Sequence, residues 1–171
     1  IDTILSIAPL KQEGRLGKLL VTGCLSQRYQ DEILEELPEV DGILGTGSYT
    51  DIVPAIQSAV EGDAPTYFGD IDHTIEDGAR MVSTPGYMAY LKIAEGCDNR
   101  CAYCVIPSLR GRYRSRTMES LLEEARGLAD AGVKELLVIA QDITRYGIDL
   151  YGRRRLAEHL TELCRLPFHW I

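Results

Sequence analysis

Three cysteines that share one short segment give the sequence its clearest chemical signal. Cys97, Cys101 and Cys104 have the spacing C-x-x-x-C-x-x-C and follow a strand candidate that ends at Gly96. Thiolates on one loop can face a common metal centre. A 4Fe-4S cluster normally takes four thiolates, so a cluster held by three leaves one iron open to a substrate or cofactor. The spacing therefore predicts an iron–sulfur site with an open coordination position.

Two other interpretations of this segment stay open at this point. A structural zinc site needs four ligands, and since no histidine lies near the loop, the fourth ligand would be distant in sequence. The three residues could also be small buried thiols. A disulfide framework does not fit, because the five cysteines are odd in number and no secretory signal is visible.

Composition and charge limit the class of protein. With 45% apolar and 26% charged residues, the chain of 171 residues is globular in composition, which excludes a fibre or a disordered tail. No apolar run approaches the ~18 residues that span a bilayer, so no membrane association is expected. The charge of −8 argues against a surface that binds nucleic acid throughout. Residues 1–80 carry −10 and residues 81–171 carry +2, which predicts two units.

Short apolar runs alternate with helical patterns, which predicts an α/β fold with parallel sheets. The front half is expected to contain a helix over 2–10, strands at 19–21 and 41–45, and helices with Ser26 and Thr50 as N-caps. The back half is expected to contain strands at 90–94 and 136–140, a helix that begins after Thr117, and a last helix over about 155–165 with Cys164 in the core. Loops that follow barrel strands of this kind carry chemistry.

The cysteine segment resembles the signature of radical S-adenosylmethionine enzymes, in which C-x-x-x-C-aromatic-C follows the first strand of a β/α unit. The resemblance implies that Cys97, Cys101 and Cys104 hold a 4Fe-4S cluster whose open iron binds S-adenosylmethionine. Reduction of the bound cofactor then gives methionine and a 5′-deoxyadenosyl radical. Tyr103 matches the position whose side chain lies near the adenine, and the alternative is a tyrosine packed on the barrel wall.

Further segments narrow the resemblance to methylthiotransferases. They are Tyr90 to Cys97, Ile106 to Gly111 and Ser115-Arg116. Upstream, Val21-Thr22-Gly23-Cys24 is similar to the third cysteine motif of that family's N-terminal domain. The resemblance implies that Cys24 is one ligand of an auxiliary 4Fe-4S cluster, so the full-length protein would hold two clusters, with one complete ligand set in this chain. Without that context, Cys24 would be a buried thiol.

Two branches of the family differ in substrate. One branch places a methylthio group on the β-carbon of an aspartate of small-subunit ribosomal protein twelve. This chain resembles that branch in the segment 140–152, which contains the run Gln-Asp-Ile-Thr-Arg-Tyr-Gly, and in the segment 106–108. The alternatives are the branch that modifies an adenosine of transfer RNA and a non-catalytic zinc or iron–sulfur module. The resemblance implies the ribosomal protein as substrate and an electron donor such as flavodoxin or ferredoxin. Nucleic acid is a partner only in the transfer RNA alternative. The absence of targeting signals and the oxygen-sensitive thiolates predict a cytoplasmic protein.

Polar residues near the cysteines supply further candidates. Most radical S-adenosylmethionine enzymes bind the cofactor's amino group with a Gly-Gly-Glu type motif after the second strand. Gln141 and Asp142 occupy that place and could offer acceptor oxygens, or they could form a helix-entry turn. Arginine binds carboxylates through two nitrogens. Among the arginines that follow the loop, Arg110 and Arg116 are therefore predicted to face the cofactor, and a solvated strand edge is the alternative.

The resemblance also divides the chain. Residues 1–61 are expected to be the C-terminal part of a methylthiotransferase N-terminal domain, 62–86 a linker, and 87–171 the first β/α units of a partial TIM-like radical S-adenosylmethionine barrel. The chain begins within a helical pattern and stops at what resembles a strand. It is therefore expected to be a piece of a longer protein and inactive alone.

Overall fold

A computed structural model describes residues 1–73 and 80–171. The chain forms two compact units, Ile1–His73 and Thr74–Ile171. Both units combine helices with parallel strand pairs, so the predicted α/β class is confirmed. Within the described ranges, no helix is long and apolar enough to cross a membrane.

The first unit is a small three-stranded parallel sheet with helices packed on it. Its elements are α1 (Asp2–Gln12), β1 (Leu20–Thr22), α2 (Cys24–Tyr29), α3 (Asp31–Glu36), β2 (Gly42–Leu44), a 3₁₀ turn (Tyr49–Asp51), α4 (Ile52–Glu61) and β3 (Thr66–Tyr67). The strand order is β1-β2-β3, with Val21 opposite Ile43 and Ile43 opposite Thr66. Ile4, Val21, Ile33, Val40 and Ile43 form its buried core.

Two predicted helix starts in this unit are wrong. Helix α2 already begins at Cys24, and Ser26 lies inside it. The side chain of Ser26 is fully buried, and its hydroxyl donates hydrogen bonds to the carbonyl oxygens of Gly23 and Leu44. Thr50 lies inside the 3₁₀ turn, and α4 begins at Ile52. Serine and threonine commonly cap helices, but here Ser26 bonds to carbonyl oxygens from inside a helix and Thr50 lies in a tighter turn. The local sequence does not reveal either arrangement.

The range predicted as a linker, 62–86, contains the short strand β3. This strand pairs with β2 and completes the sheet of the first unit. A strand of two residues is too short to produce an alternating pattern in the sequence. Residues 74–79 of the same range lie outside the described residues.

The second unit contains one parallel strand pair and one antiparallel pair. Its elements are β4 (Met88–Lys92), β5 (Ala94–Glu95), α5 (Ile106–Arg110), β6 (Arg114–Ser115), α6 (Met118–Asp130), β7 (Glu135–Ile139), a 3₁₀ turn (Ile143–Arg145), α7 (Ile148–Tyr151) and α8 (Leu156–Leu163). Strand β4 pairs with β7 in parallel, and α6 connects them. Strand β5 pairs with β6 in the antiparallel sense.

The core of this unit lies between the β4–β7 pair and helices α6 and α8. Leu91, Leu121, Leu136 and Leu163 are fully buried there. The predicted cap of α6 is confirmed, because the hydroxyl of Thr117 accepts a hydrogen bond from the backbone N–H of Ser120. The expectation for Cys164 is wrong: its side chain is exposed. It follows the last residue of α8, and about 100° of helical rotation separates it from Leu163.

Candidate functional site

The cysteine loop begins at a position that only glycine can occupy. Gly96 has φ +76°, and a Cβ at this position would lie 2.0 Å from the carbonyl oxygen of Arg112. The next residue, Cys97, donates its backbone N–H to the carbonyl of Gly111 at 3.1 Å. Gly111 directly follows α5, so the chain leaves β5 at the cysteine loop and returns to it at the end of α5. The close approach of the backbone at Gly96 holds the two ends of this segment together.

The three cysteines of this loop differ in exposure, and all are free thiols. Cys97 is buried, Cys104 is half-buried and Cys101 is exposed. The N–H of Cys104 donates to the carbonyl of Cys101 at 2.9 Å, which closes a turn between them. Both residues line a cavity of about 450 Å³ together with Arg100, Ala102, Pro107 and Ser108. The structure therefore places the three cysteines between β5 and α5, with Cys101 and Cys104 on one cavity.

The side chains of this loop do not form a preassembled metal site. Among the described residues, no group of three or more His, Cys, Asp or Glu side chains is arranged to hold a metal ion. Thiolates are nevertheless the ligands of iron–sulfur clusters, and the loop supplies three of them, two of which line one cavity. By donor type and by their place on one loop, the residues fit a cluster whose ligands move together when it binds.

The segment after β7 contacts the end of β5 through Gln141 and the cysteine loop through Asp142. Gln141 donates from Nε2 to Oε1 of Glu95 at 2.8 Å. Asp142 accepts at Oδ2 a hydrogen bond of 3.0 Å from Nδ2 of Asn99, which lies between the first two cysteines. The helix-entry turn that the sequence left open is present as well, because Asp142 caps the 3₁₀ turn through the N–H of Thr144. The structure thus brings Gln141 and Asp142 to the loop.

A buried carboxylate at the start of the loop is central to these contacts. Glu95 is 7% exposed. Its Oε2 forms an ion pair with Nζ of Lys92 at 2.6 Å and lies 3.5 Å from Nη1 of Arg110, and its Oε1 accepts from the N–H of Gly96 at 3.2 Å. Burial raises the pKa of Glu95, but the hydrogen bond and charge of Lys92, with Arg110, hold the pKa below its usual value.

The two arginines predicted to face a cofactor have different surroundings. Arg110, the last residue of α5, reaches Glu95 beside the loop. Arg116 is 11% exposed and pairs with Oε2 of Glu124 on α6 at 2.6 Å. Its guanidinium also donates to the hydroxyl of Ser120 and to the carbonyl of Lys92. The contacts of Arg116 are therefore those of a partly buried ion pair that joins β4 to α6.

Two predicted site residues remain: Tyr103 lies exposed on the cysteine loop, and Cys24 belongs to the first unit. Tyr103 is 92% exposed, so the alternative of a tyrosine packed on the barrel wall does not describe it. Cys24 belongs to the first unit, directly after β1, and is half-buried at the start of α2. The same edge of the sheet carries Thr46, whose N–H donates to the side-chain oxygen of Gln27 at 2.9 Å.

Sequence reasoning missed Glu95, Asn99 and Tyr113. The Tyr113 hydroxyl donates to the carbonyl of Asp142 at 2.9 Å, and its N–H donates to Oδ1 of Asp98 at 3.0 Å. Burial, with the nearby charges of Asp149 and Asp142, raises the pKa of Tyr113 to about 12, so it remains a donor at neutral pH. A glutamate at the end of an apolar strand was the one signal that could have drawn attention to Glu95.

Comparison with known proteins agrees with this geometry. Residues 91–166 match the model of the Radical SAM superfamily. The ribosomal protein uS12 methylthiotransferase RimO of Clostridioides difficile is 54% identical over 100% of this chain and 39% of that protein. The proteins of the same name from Lachnoclostridium phytofermentans and Desulforamulus reducens are 50% and 51% identical, over 100% and 95% of this chain. The chain spans about 39% of the length of the first of these relatives.

A solved structure shows the same fold. The radical S-adenosylmethionine methyltransferase TsrM from Kitasatospora setae superimposes with a TM-score of 0.58 at 14% sequence identity. The match covers 96% of this chain and 34% of that one. The family match and the identities to the RimO proteins confirm the predicted resemblance of this chain to methylthiotransferases of the radical S-adenosylmethionine superfamily.

Proposed function

We propose that the protein containing this chain adds a methylthio group to the β-carbon of an aspartate of ribosomal protein uS12. The observation that carries the proposal is the identity of 50–54% to uS12 methylthiotransferases along the whole chain. Their names favour this branch over the transfer RNA branch and over a non-catalytic metal module. Because the chain spans 39% of the first of these relatives, the activity is proposed for the longer protein.

In this proposal Cys97, Cys101 and Cys104 hold the 4Fe-4S cluster that binds S-adenosylmethionine. Their free thiols and their place on one loop support the assignment. The chemistry supplied at such a site is reductive cleavage of S-adenosylmethionine to a 5′-deoxyadenosyl radical, which removes hydrogen from the substrate carbon. Cys24 would be one ligand of an auxiliary cluster. Its position after β1, in the Thr-Gly-Cys context, supports that role.

The remaining site residues bind and orient the cofactor. Gln141 offers an acceptor oxygen to the amino group, and exposed Tyr103 offers a ring face to the adenine. Asp142 fixes Asn99 of the loop through their hydrogen bond and adds negative charge beside the amino group. Arg110 supplies positive charge toward the cofactor's carboxylate; Arg116, predicted for the same role, has its guanidinium bound to Glu124, to Ser120 and to the carbonyl of Lys92. Arg110 has the stronger support, because it lies beside the loop at Glu95.

The proposal extends to the domain assignment and to the partners. We assign 1–61 to a methylthiotransferase N-terminal domain, 62–86 to a connection and 87–171 to the first part of the radical S-adenosylmethionine barrel. Reductive cleavage requires an electron donor, for which flavodoxin or ferredoxin is proposed. A ribosomal substrate and an oxygen-sensitive cluster both favour a cytoplasmic site of action.

The function is tested in a bacterium that encodes the protein, by mass spectrometry of uS12 after deletion of the gene. We expect uS12 to lose the mass of one methylthio group and the intact gene to restore it. The variant Cys101→Ala should fail to restore it, whereas Cys164→Ala, which removes an exposed cysteine outside the loop, should succeed. Loss of a methylthio group from transfer RNA, with uS12 unchanged, would overturn the proposal.

A further inference from the structure

Glu95 links the elements that surround the cysteine loop. It ends β5, directly before the loop. Its carboxylate binds the N–H of Gly96 at one end of the loop and the guanidinium of Arg110 beyond the other end. The same carboxylate reaches Gln141 after β7. One buried side chain therefore connects the strand before the loop, the helix after it and the segment that follows β7.

The contact with Glu95 determines how the Gln141 amide is oriented. An ionised carboxylate can only accept hydrogen bonds, so the side-chain nitrogen of Gln141 must face Oε1 of Glu95. Its other partners, Nζ of Lys92, Nη1 of Arg110 and the N–H of Gly96, can only donate, so both oxygens of the carboxylate are held as acceptors. The amide oxygen of Gln141 is then left as an acceptor. Gln141 is itself exposed, so a ligand can reach this oxygen.

We propose that Glu95 is a positioning residue that fixes the Gln141 amide so that its oxygen accepts a hydrogen bond from the amino group of S-adenosylmethionine. This inference rests on the proposed function. In the proposal Glu95 ligates no metal and touches no cofactor. It changes the affinity for the cofactor only through Gln141. A role limited to holding the loop together would instead affect cluster retention and folding.

The test measures S-adenosylmethionine binding by equilibrium dialysis without oxygen, on the full-length protein that contains this chain, reconstituted with iron and sulfide. Iron content and the unfolding midpoint are measured on the same samples. If the wild-type protein retains iron but binds no S-adenosylmethionine, the proposed function itself fails. If it binds, the variants decide the role of Glu95. Glu158→Gln serves as the matched control, because it breaks the ion pairs of Glu158, on α8, with Arg153 and Arg155.

Glu95→Gln should keep the wild-type iron content and raise the dissociation constant about tenfold, because its amide no longer forces one orientation of Gln141. Gln141→Leu should raise it by a similar factor. The double variant should bind no more weakly than Gln141→Leu alone, since Glu95 acts through that residue. Glu158→Gln should leave both iron content and affinity unchanged.

Three results would overturn the proposal. The first is wild-type affinity in Glu95→Gln, and the second is a double variant in which the two losses multiply. The third is loss of iron in proportion to loss of binding. If Glu95→Gln does not fold, Glu95→Asp decides: it keeps the charge but shortens the reach toward Gln141. This variant should bind about tenfold more weakly with full iron content, and wild-type affinity would refute the orienting role.

Discussion

Asn99, which lies between the first two cysteines of the loop, donates from Nδ2 to Oδ2 of Asp142 at 3.0 Å. The side-chain oxygen of the same residue, Oδ1 of Asn99, accepts a second hydrogen bond from Nη1 of Arg145 at 3.3 Å. The two hydrogen bonds attach the outer part of the cysteine loop to the segment after β7. The loop is thus held by Glu95 at its base and by Asn99 at its middle.

Asn99→Asp should loosen the loop, because it places a second carboxylate against Asp142. We expect amide hydrogen exchange over 97–104 to accelerate about five- to tenfold while the unfolding midpoint changes little. In Asn99→Asp/Asp142→Asn the donor and acceptor are exchanged, and the slow exchange should return. Unchanged exchange in the single variant would show that this hydrogen bond does not hold the loop.

The surroundings of the two arginines predict different consequences for the same substitution. Arg116→Lys should lower the free energy of unfolding by about 1–3 kcal/mol, because lysine cannot reproduce the contacts of a partly buried guanidinium with Glu124 and Ser120. Arg110→Lys should mainly weaken S-adenosylmethionine binding, with a smaller effect on stability. Urea unfolding and equilibrium dialysis separate the two effects. A stable Arg116→Lys variant with weakened binding would assign Arg116 to the cofactor instead.

The sequence was sufficient for features that local pattern and residue type determine. The strand pair β4–β7 and the Thr117 cap were predictable, because unbroken apolar runs and a capping hydroxyl carry their own signal. The positions of Gln141 and Asp142 beside the loop followed from the rule that the carboxyl ends of parallel strands meet at one edge.

What the sequence did not reveal depends on contacts between distant residues. Glu95 and Gln141 are joined across strands, and the place of Glu95 at the end of an apolar strand does not show which side chains its carboxylate will contact. Ser26 bonds the carbonyl of Leu44 from inside a helix, so its suitability as a cap was misleading. Cys164 was misplaced because it is one residue beyond buried Leu163, and about 100° of helical rotation takes its side chain from the core to the surface.

A buried histidine on α8 predicts a pH-dependent stability. His159 is fully buried, its ring lies 5.1 Å from that of Tyr146, and neither ring nitrogen has a hydrogen-bond partner among the described residues. Burial lowers its pKa to about 4. The unfolded chain, with a pKa near 6.5, therefore binds more protons between pH 6.5 and 4, and stability falls as the pH drops through this range.

The change is measured by urea unfolding at pH 7.5 and pH 5. The histidine alone should cost about 2 kcal/mol between these values. His159→Leu should remove that part of the pH dependence, whereas His169→Gln, which replaces an exposed histidine, should retain it. If His159→Leu has the same pH dependence as the wild type, His159 is not titrating in the folded state as burial predicts.

Gly96 and Gly132 offer a matched pair that separates backbone strain from steric exclusion. Both have positive φ, +76° and +94°, so alanine is strained at either position. A Cβ at Gly96 would lie 2.0 Å from the carbonyl oxygen of Arg112, whereas a Cβ at Gly132 has no atom within 4 Å. Gly132→Ala should therefore cost about 1 kcal/mol of unfolding free energy.

Gly96→Ala should cost clearly more, about 3 kcal/mol or above, because the backbone at the base of the cysteine loop must move apart. Urea unfolding of the two variants measures the difference. The same movement should separate Cys97 from Gly111, whose hydrogen bond closes the loop, so iron retained after reconstitution should fall in Gly96→Ala and not in Gly132→Ala. Equal losses of stability and iron in the two variants would mean that the close approach at Gly96 does not hold the loop in shape.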